Sequence, residues 1–269
     1  MPFKQSIARF GFLMGALACL GGFTITPRHT PVAFAAPIKA TSPLSDKLSD
    51  YVSPKLEDFE TTMKAVFHND SAARKIDKDA GLIYQLKSNV HIRYKEENKF
   101  RADGQIGISK ASLIINDSKQ SYKLSLGIKR TEELGKAPGK RKSLLDVGLI
   151  SEYYLTYAQG EFVGERPFEG IQCAVFKLTF KDRSLDTSHR IVWIDPKTKI
   201  TLKREEYMQD TRGGKLRDVW FYRDPVEVAP GMFFPSRIEL FNNENQKAGE
   251  TAYSNTCVNI GLNDDLFRL

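Results

Sequence analysis

Cysteine is scarce: the 269 residues contain three, Cys19, Cys173 and Cys257. A disulfide-built scaffold is excluded, so any folded core must form by apolar burial. Histidine is nearly as rare, with four: His29, His68, His91 and His189. No two sit at metal-ligand spacing, and His-Glu-x-x-His is absent. The chain also lacks a Gly-x-Ser-x-Gly elbow, a P-loop and a Gly-x-Gly-x-x-Gly fingerprint. Adjacent acidic pairs occur at Glu96-Glu97, Glu132-Glu133, Glu205-Glu206 and Asp264-Asp265. On a strand, neighbours point to opposite faces, so adjacency alone builds no acid–base pair. These absences lead us to expect a non-enzymatic protein without cofactor or metal. A hydrolase assembled from distant carboxylates is the minor rival.

The amino terminus reads as an export signal. Lys4 and Arg9 precede an apolar stretch, Phe10 to Phe23, and Ala33-Phe34-Ala35 supplies a small-x-small pattern before a cut at Ala36. The stretch is short of the roughly 20 residues a membrane helix needs. The text "ALAC" ending at Cys19 resembles the box of a lipidated cysteine, but Ala16 stands where leucine is usual. An anchor at Cys19 is the alternative to a discarded leader. We therefore expect a signal at 1–35, a linker at 36–43, one domain at 44–269, and a location in the periplasm or cell envelope. Removing 1–35 takes away Lys4, Arg9 and Arg28 and no acid, so the formal charge falls from +7 to +4. Nucleic acid is a poor partner on that balance, because "GKAPGKRK" lacks the interleaved aromatics that stack on bases.

Two segments carry helical periodicity. Leu56, Phe59, Met63, Val66 and Phe67 fall on one stripe and predict a helix over about 44–68, with Ser53-Pro54 as its start. Leu144, Leu145, Val147, Ile150, Tyr154 and Leu155 predict a second over about 143–157. Nearly everything else alternates with period two. Asp195-Pro196-Lys197-Thr198 and Gly213-Gly214 mark turns between strands. The inventory is mainly β (α+β): nine to eleven short antiparallel strands in an incomplete barrel or strongly curved sheet, capped by two or more helices. In a meander about five strands separate Cys173 from Cys257, which disfavours a bond unless the sheet curls strongly.

The excess in this sequence is apolar. Tyr122, Leu124, Leu126 and Ile128 share one face of a strand, as do Phe176, Leu178 and Phe180. Ile191 and Trp193 alternate with Val192 and Ile194, and Met232, Phe233 and Phe234 are consecutive. A curved sheet with such residues is either a filled core or holds a ligand in its concavity. Lys136, Lys140, Arg141 and Lys142 form a basic rim facing acidic head groups or an acidic partner, or else a solvated loop.

Several stretches match a known pattern. "NKFRADG" is similar to a Phe-Arg strand near the start of a sheet; "LLDVGLISEYYLTYAQGEFVGERPFEGIQCAVFKLTFKD" to a helix and strand pair. "RIVWIDPKTKITLKREEYMQDTRGGKLRDVWFYRD", "MFFPSRIELFN" and "VNIGLNDDLF" follow in order. Together they resemble the outer-membrane lipoprotein-sorting, or periplasmic lipoprotein carrier, superfamily, which includes lipid-binding lipoproteins and the lipid-sensing domain of an anti-sigma-factor regulator. The resemblance implies an incomplete antiparallel barrel closed by helices, an apolar cavity for lipid or lipoprotein acyl chains, and peripheral contact with a membrane. The cavity candidates are Leu124, Leu126, Ile128, Phe176, Leu178, Phe180, Ile191 and Trp193. In the carrier an Arg-Pro pair latches the lid. This chain has Arg93-Tyr94 and Phe100-Arg101 there, which leaves Arg101 as the candidate cavity-edge arginine. The rival reading is a regulatory or interaction module with a filled cavity and an envelope protein partner. At the far end, Gly261 allows a turn that would bring Leu262, Leu266 and Phe267 back onto the sheet edge or the opening of the barrel.

Overall fold

The computed structural model describes residues 43–53, 55–77, 89–106, 108–125, 127, 129–134, 139 and 142–269. Thirteen strands form one antiparallel sheet: β1 (Asp58–His68), β2 (Val90–Lys95), β3 (Lys99–Ile106), β4 (Ser109–Asn116), β5 (Lys119–Leu124), β6 (Lys129–Glu133), β7 (Ala158–Phe168), β8 (Ile171–Phe180), β9 (His189–Ile194), β10 (Thr201–Tyr207), β11 (Leu216–Ala229), β12 (Met232–Asn242) and β13 (Lys247–Val258). The order is β6-β5-β4-β3-β2-β1-β13-β12-β11-β10-β9-β8-β7. The first strand therefore pairs with the last, and the two ends of the meander, β6 and β7, are left as edges. The sheet is strongly curved and does not close into a barrel. Among the described residues two short helices, α1 (Asp70–Ile76) and α2 (Glu152–Tyr157), accompany it.

Thirteen strands exceed the nine to eleven expected, and one reason is the first predicted helix. Leu44–His68 is instead a single 3-10 turn, Leu48–Tyr51, followed by β1. Phe59 and Met63 are four apart, a spacing that satisfies period two as well as 3.6. The buried Thr61 between them settles the choice, since Phe59, Thr61 and Met63 share one face. Val66 and Phe67, which the helical stripe would have buried, are exposed. The second predicted helix breaks at Gly148, whose φ of 79° ends a 3-10 turn over Leu144–Val147 before α2 begins. Helix α1 was not expected. Asn69 caps it by accepting from the Ala72 N–H at 3.2 Å.

The sheet has a continuous inner face. Across β8 to β12 the pairing runs Phe176–Val192–Arg204–Trp220–Leu240. Phe234 and Ile238 lie on the same face, since alternate residues of β12 point together. Through Phe59, which meets Phe234 edge to face at 5.2 Å, this face continues to Tyr94 and Phe100. The reverse face carries Val175–Trp193–Lys203–Phe221–Glu239. Strand β8 is buried on both sides: Ala174, Phe176 and Leu178 pack with Tyr51, Leu145 and Tyr154, while Cys173 and Val175 belong to the larger core. Cys173 and Cys257 are both free.

The chain end folds back, but onto the outer face over β3 and β4, not onto a sheet edge or an opening. Asp58 accepts the N–H groups of Ile260 and Leu262, both at 2.8 Å. Lys95 and Arg101 donate to the carbonyls of Leu262 and Leu266, and Asn116 to that of Phe267. Phe267 is fully buried in the 3-10 turn Asp264–Phe267, against β3 and β4.

Candidate ligand groove

The middle of the inner face is filled by the segment Leu144–Ile150. Its local shape comes from sequence: Ser143 and Asp146 form a capping box, and Gly148 supplies the left-handed turn. The Leu145 carbonyl accepts from Arg204 Nη1 at 3.0 Å and from the Tyr222 hydroxyl at 2.9 Å. Gly148 offers its carbonyl to the Thr201 N–H, and Ile150 its carbonyl to Ser53, each at 2.8 Å. Leu144 and Leu149 face the larger core, and Leu145 and Ile150 the cluster with Phe176.

Buried charges brace this segment. Arg190 pairs with Glu206 through Nε at 3.0 Å and Nη2 at 2.9 Å. Burial acts to lower the pKa of the Arg190 guanidinium, but the Glu206 carboxylate outweighs it and the pKa is raised. Arg204 is raised as well, burial again opposing the Tyr222 and Glu206 contributions. For Asp146, burial opposes but the charges of Lys142 and Arg204 prevail, and the carboxyl titrates below its usual range. A buried ionic cluster of this kind specifies geometry more than it adds stability.

At one end of the sheet, beyond the last β12–β13 pair at Arg237–Ala252, strands β11, β12 and β13 border a groove. A groove of about 430 Å³ is lined by Val226, Glu227, Val228, Phe234, Pro235, Ser236, Tyr253, Ser254, Asn255 and Thr256. Phe234 forms part of its floor and meets the Tyr253 ring edge to face at 6.1 Å. Val226, which pairs with Phe234 across the ladder, is 52% exposed. Burial pushes the Tyr253 phenol up to about 12, so it stays neutral. Its oxygen accepts from the Thr251 hydroxyl at 3.3 Å. Half of the lining residues are polar, and the volume falls within the roughly 300–1,000 Å³ usual for small-molecule sites. Among the described residues no three His, Cys, Asp or Glu side chains converge on a metal position.

The candidates read from sequence divide between the faces. Leu124, Phe176, Leu178 and Phe180 lie on the inner side. Phe176 and Leu178 are fully buried with Tyr51 and Tyr154, and Phe180 stacks on Tyr157 beneath Arg190. Leu124 is half-buried at the other flank, paired with Ala111. Ile191 and Trp193 are on the reverse face, where Lys203 sits 4.3 Å above the Trp193 ring. Arg101 is also on the reverse side, bonded to Asp103 and the chain end. Of the basic rim, Lys142 lies 3.9 Å from Asp146. Leu126, Ile128, Lys136, Lys140 and Arg141 fall outside the described residues. None of the described candidates lines the groove. Its own residues gave one visible sign: Met232-Phe233-Phe234 is too apolar for a strand with one wet face.

Comparison with known proteins fits the architecture. A family model described only as an uncharacterized protein matches residues 139–269. No curated protein matches the chain. Among solved structures, a putative outer membrane lipoprotein-sorting protein domain from Vibrio parahaemolyticus aligns with a TM-score of 0.55 at 15% identity, over 80% of this chain and 91% of that one. A LolA superfamily protein from Nitrosomonas europaea aligns with a TM-score of 0.55 at 12% identity, over 82% and 94%. At such identities the shared property is the fold, and it is the one the ordered stretches of sequence resemble.

Proposed function

We propose that this chain, which has the fold of the lipoprotein-sorting domains, is an exported, non-enzymatic envelope protein that holds a lipid or the acyl part of a lipoprotein. The observation that carries the reading is the groove bordered by β11, β12 and β13, whose lining includes Val226, Val228, Phe234 and Tyr253. Each methylene moved there from water contributes roughly 0.8 kcal/mol, part of it offset by ordering of the chain. Transport or sorting between envelope layers is the role that suits such a site, and the likeness to a structure titled as a lipoprotein-sorting domain supports it.

A second reading has its own observation. Leu144–Ile150 fills the centre of the concavity, as a sensor or interaction module would require. Native mass spectrometry of protein purified from envelope fractions separates the two. A bound mass released by lipid extraction supports the carrier. A lipid-free protein that takes up no neutral fluorescent acyl probe, and recovers one stoichiometric protein partner, supports the module.

A further inference from the structure

We propose that β6 is a homodimer interface: a second copy of this chain adds its own β6 antiparallel to it, about a two-fold axis at Thr131. The inference goes beyond the ligand reading and is independent of it. Strand β6 is one of the two ends of the sheet, and among the described residues no strand pairs with its outer side. Lys129, Arg130, Thr131 and Glu133 are exposed there. The other end is guarded. On β7 the Leu48 side chain packs directly on Gly160, and Glu165 accepts the Leu44 N–H at 2.8 Å. An unguarded strand edge offers its backbone donors and acceptors to another chain.

The order of charges decides which chain. Strand β6 reads Lys129-Arg130-Thr131-Glu132-Glu133: two cations, a neutral centre, two carboxylates. An edge of one sign repels a copy of itself, which is how natural edges are blunted. This edge repels only a parallel copy in register. Run antiparallel and centred on Thr131, Lys129 faces the partner subunit's Glu133 and Arg130 faces the partner subunit's Glu132. Two-fold symmetry repeats both contacts on the other side of the axis. Residues directly opposite each other lie on one face of a sheet, so each of these is a cross-strand ion pair. The existing ladder leaves the cations without such a neighbour: Lys129 stands opposite Lys123, and Arg130 opposite Tyr122. Among the described residues neither forms an ion pair. Glu133 stands opposite Lys119, and Glu132 accepts from Gln120 at 2.9 Å. A carboxylate has lone pairs enough for a neighbour on each side. A pairing of five residues is smaller than a standard interface, so the dimer is weak and forms as concentration rises.

The test is sedimentation of the full chain from micromolar to near-millimolar concentration, at low and high salt, with melting temperatures as a folding control. Wild type should move from the mass of one chain toward that of two, and high salt should weaken the association several-fold. Glu132→Lys with Glu133→Lys makes the edge wholly basic, and Lys129→Glu with Arg130→Glu makes it wholly acidic. Each double variant alone should associate more weakly than wild type by roughly tenfold or more, and an equal mixture of the two should recover a one-to-one dimer. Glu161→Lys, on the opposite edge strand β7, should change nothing. A wild type that stays monomeric throughout, a double variant that associates as wild type does, a mixture that stays monomeric, or a dimer lost in Glu161→Lys would overturn the proposal.

Discussion

The Tyr222 hydroxyl donates to the backbone carbonyl of Leu145 at 2.9 Å, joining β11 to a segment 77 positions earlier in the chain. Arg204 donates to the same oxygen, so two strands of the sheet hold one peptide of the filling segment. Tyr222→Phe removes one of the two donors and leaves the carbonyl satisfied by the other. It should cost about 1 kcal/mol in denaturant unfolding. Tyr222→Ala empties a fully buried site and should cost about 3–5 kcal/mol.

Gly148 lies directly on the Tyr222 ring. A Cβ there would come within 2.7 Å of Tyr222 Cδ1, and φ is 79°. Gly148→Ala combines left-handed strain with a clash against a side chain that cannot move. Its expected cost exceeds about 1 kcal/mol, and a melting curve unchanged from wild type would contradict the placement of this segment.

The buried Arg190–Glu206 pair gives a sharper destabilisation. Glu206→Gln leaves the Arg190 guanidinium uncompensated between α2 and the sheet, and Arg204 loses a neighbour at 3.6 Å. A loss of about 3–5 kcal/mol is expected. Equilibrium unfolding in urea measures it.

Glu96 supplies a pH dependence. Burial raises its pKa, against an opposing hydrogen bond from Ser151, and its Oε1 has no hydrogen-bond partner. A carboxyl with a raised folded pKa contributes stability fully present below the unfolded value, about 4.3, and lost as pH rises through the folded one. Glu96→Gln should thus be more stable than wild type near neutrality, with the difference closing on acidification. Melting temperatures across that range decide it.

The chain end should behave as a structural strap. Deleting residues 262–269 removes Phe267 from its buried site and the carbonyls that Lys95, Arg101 and Asn116 hold. A clear drop in melting temperature is expected. Phe267→Ala alone should cost about 3–5 kcal/mol.

Much of this was legible from residue patterns. The alternation in β8 to β13 and the Asp195 turn were visible because each strand has a distinct apolar face. The turn is held as its residues suggest, with Asp195 accepting from Lys197 N and the Thr198 hydroxyl. The strap was also visible, since Leu262 and Phe267 follow a glycine able to turn.

The groove was hidden for a different reason. Which face of each strand becomes the inside depends on register, and a shift by one residue exchanges the faces. Trp193 and Phe176 look equally eligible in sequence, yet the pairing Val175–Trp193 sets them on opposite sides of the sheet. The bulge between Glu227 and Ala229 that shapes the groove's rim has no local signature beyond Pro230-Gly231. For β1, Phe59 and Met63 fit two periods, and the choice shows only in the folded chain, where Thr61 between them is buried and Phe59 packs on Phe234.

The most direct test of the account is a titration of a neutral fluorescent acyl probe into wild type and into Val226→Glu. Val226 is exposed at the groove, so the substitution should leave the melting temperature unchanged while setting a charge in the path of the chain. The account predicts saturable binding at one probe per wild-type chain and loss of that binding in the variant. No uptake by wild type, or equal uptake by both, would contradict it.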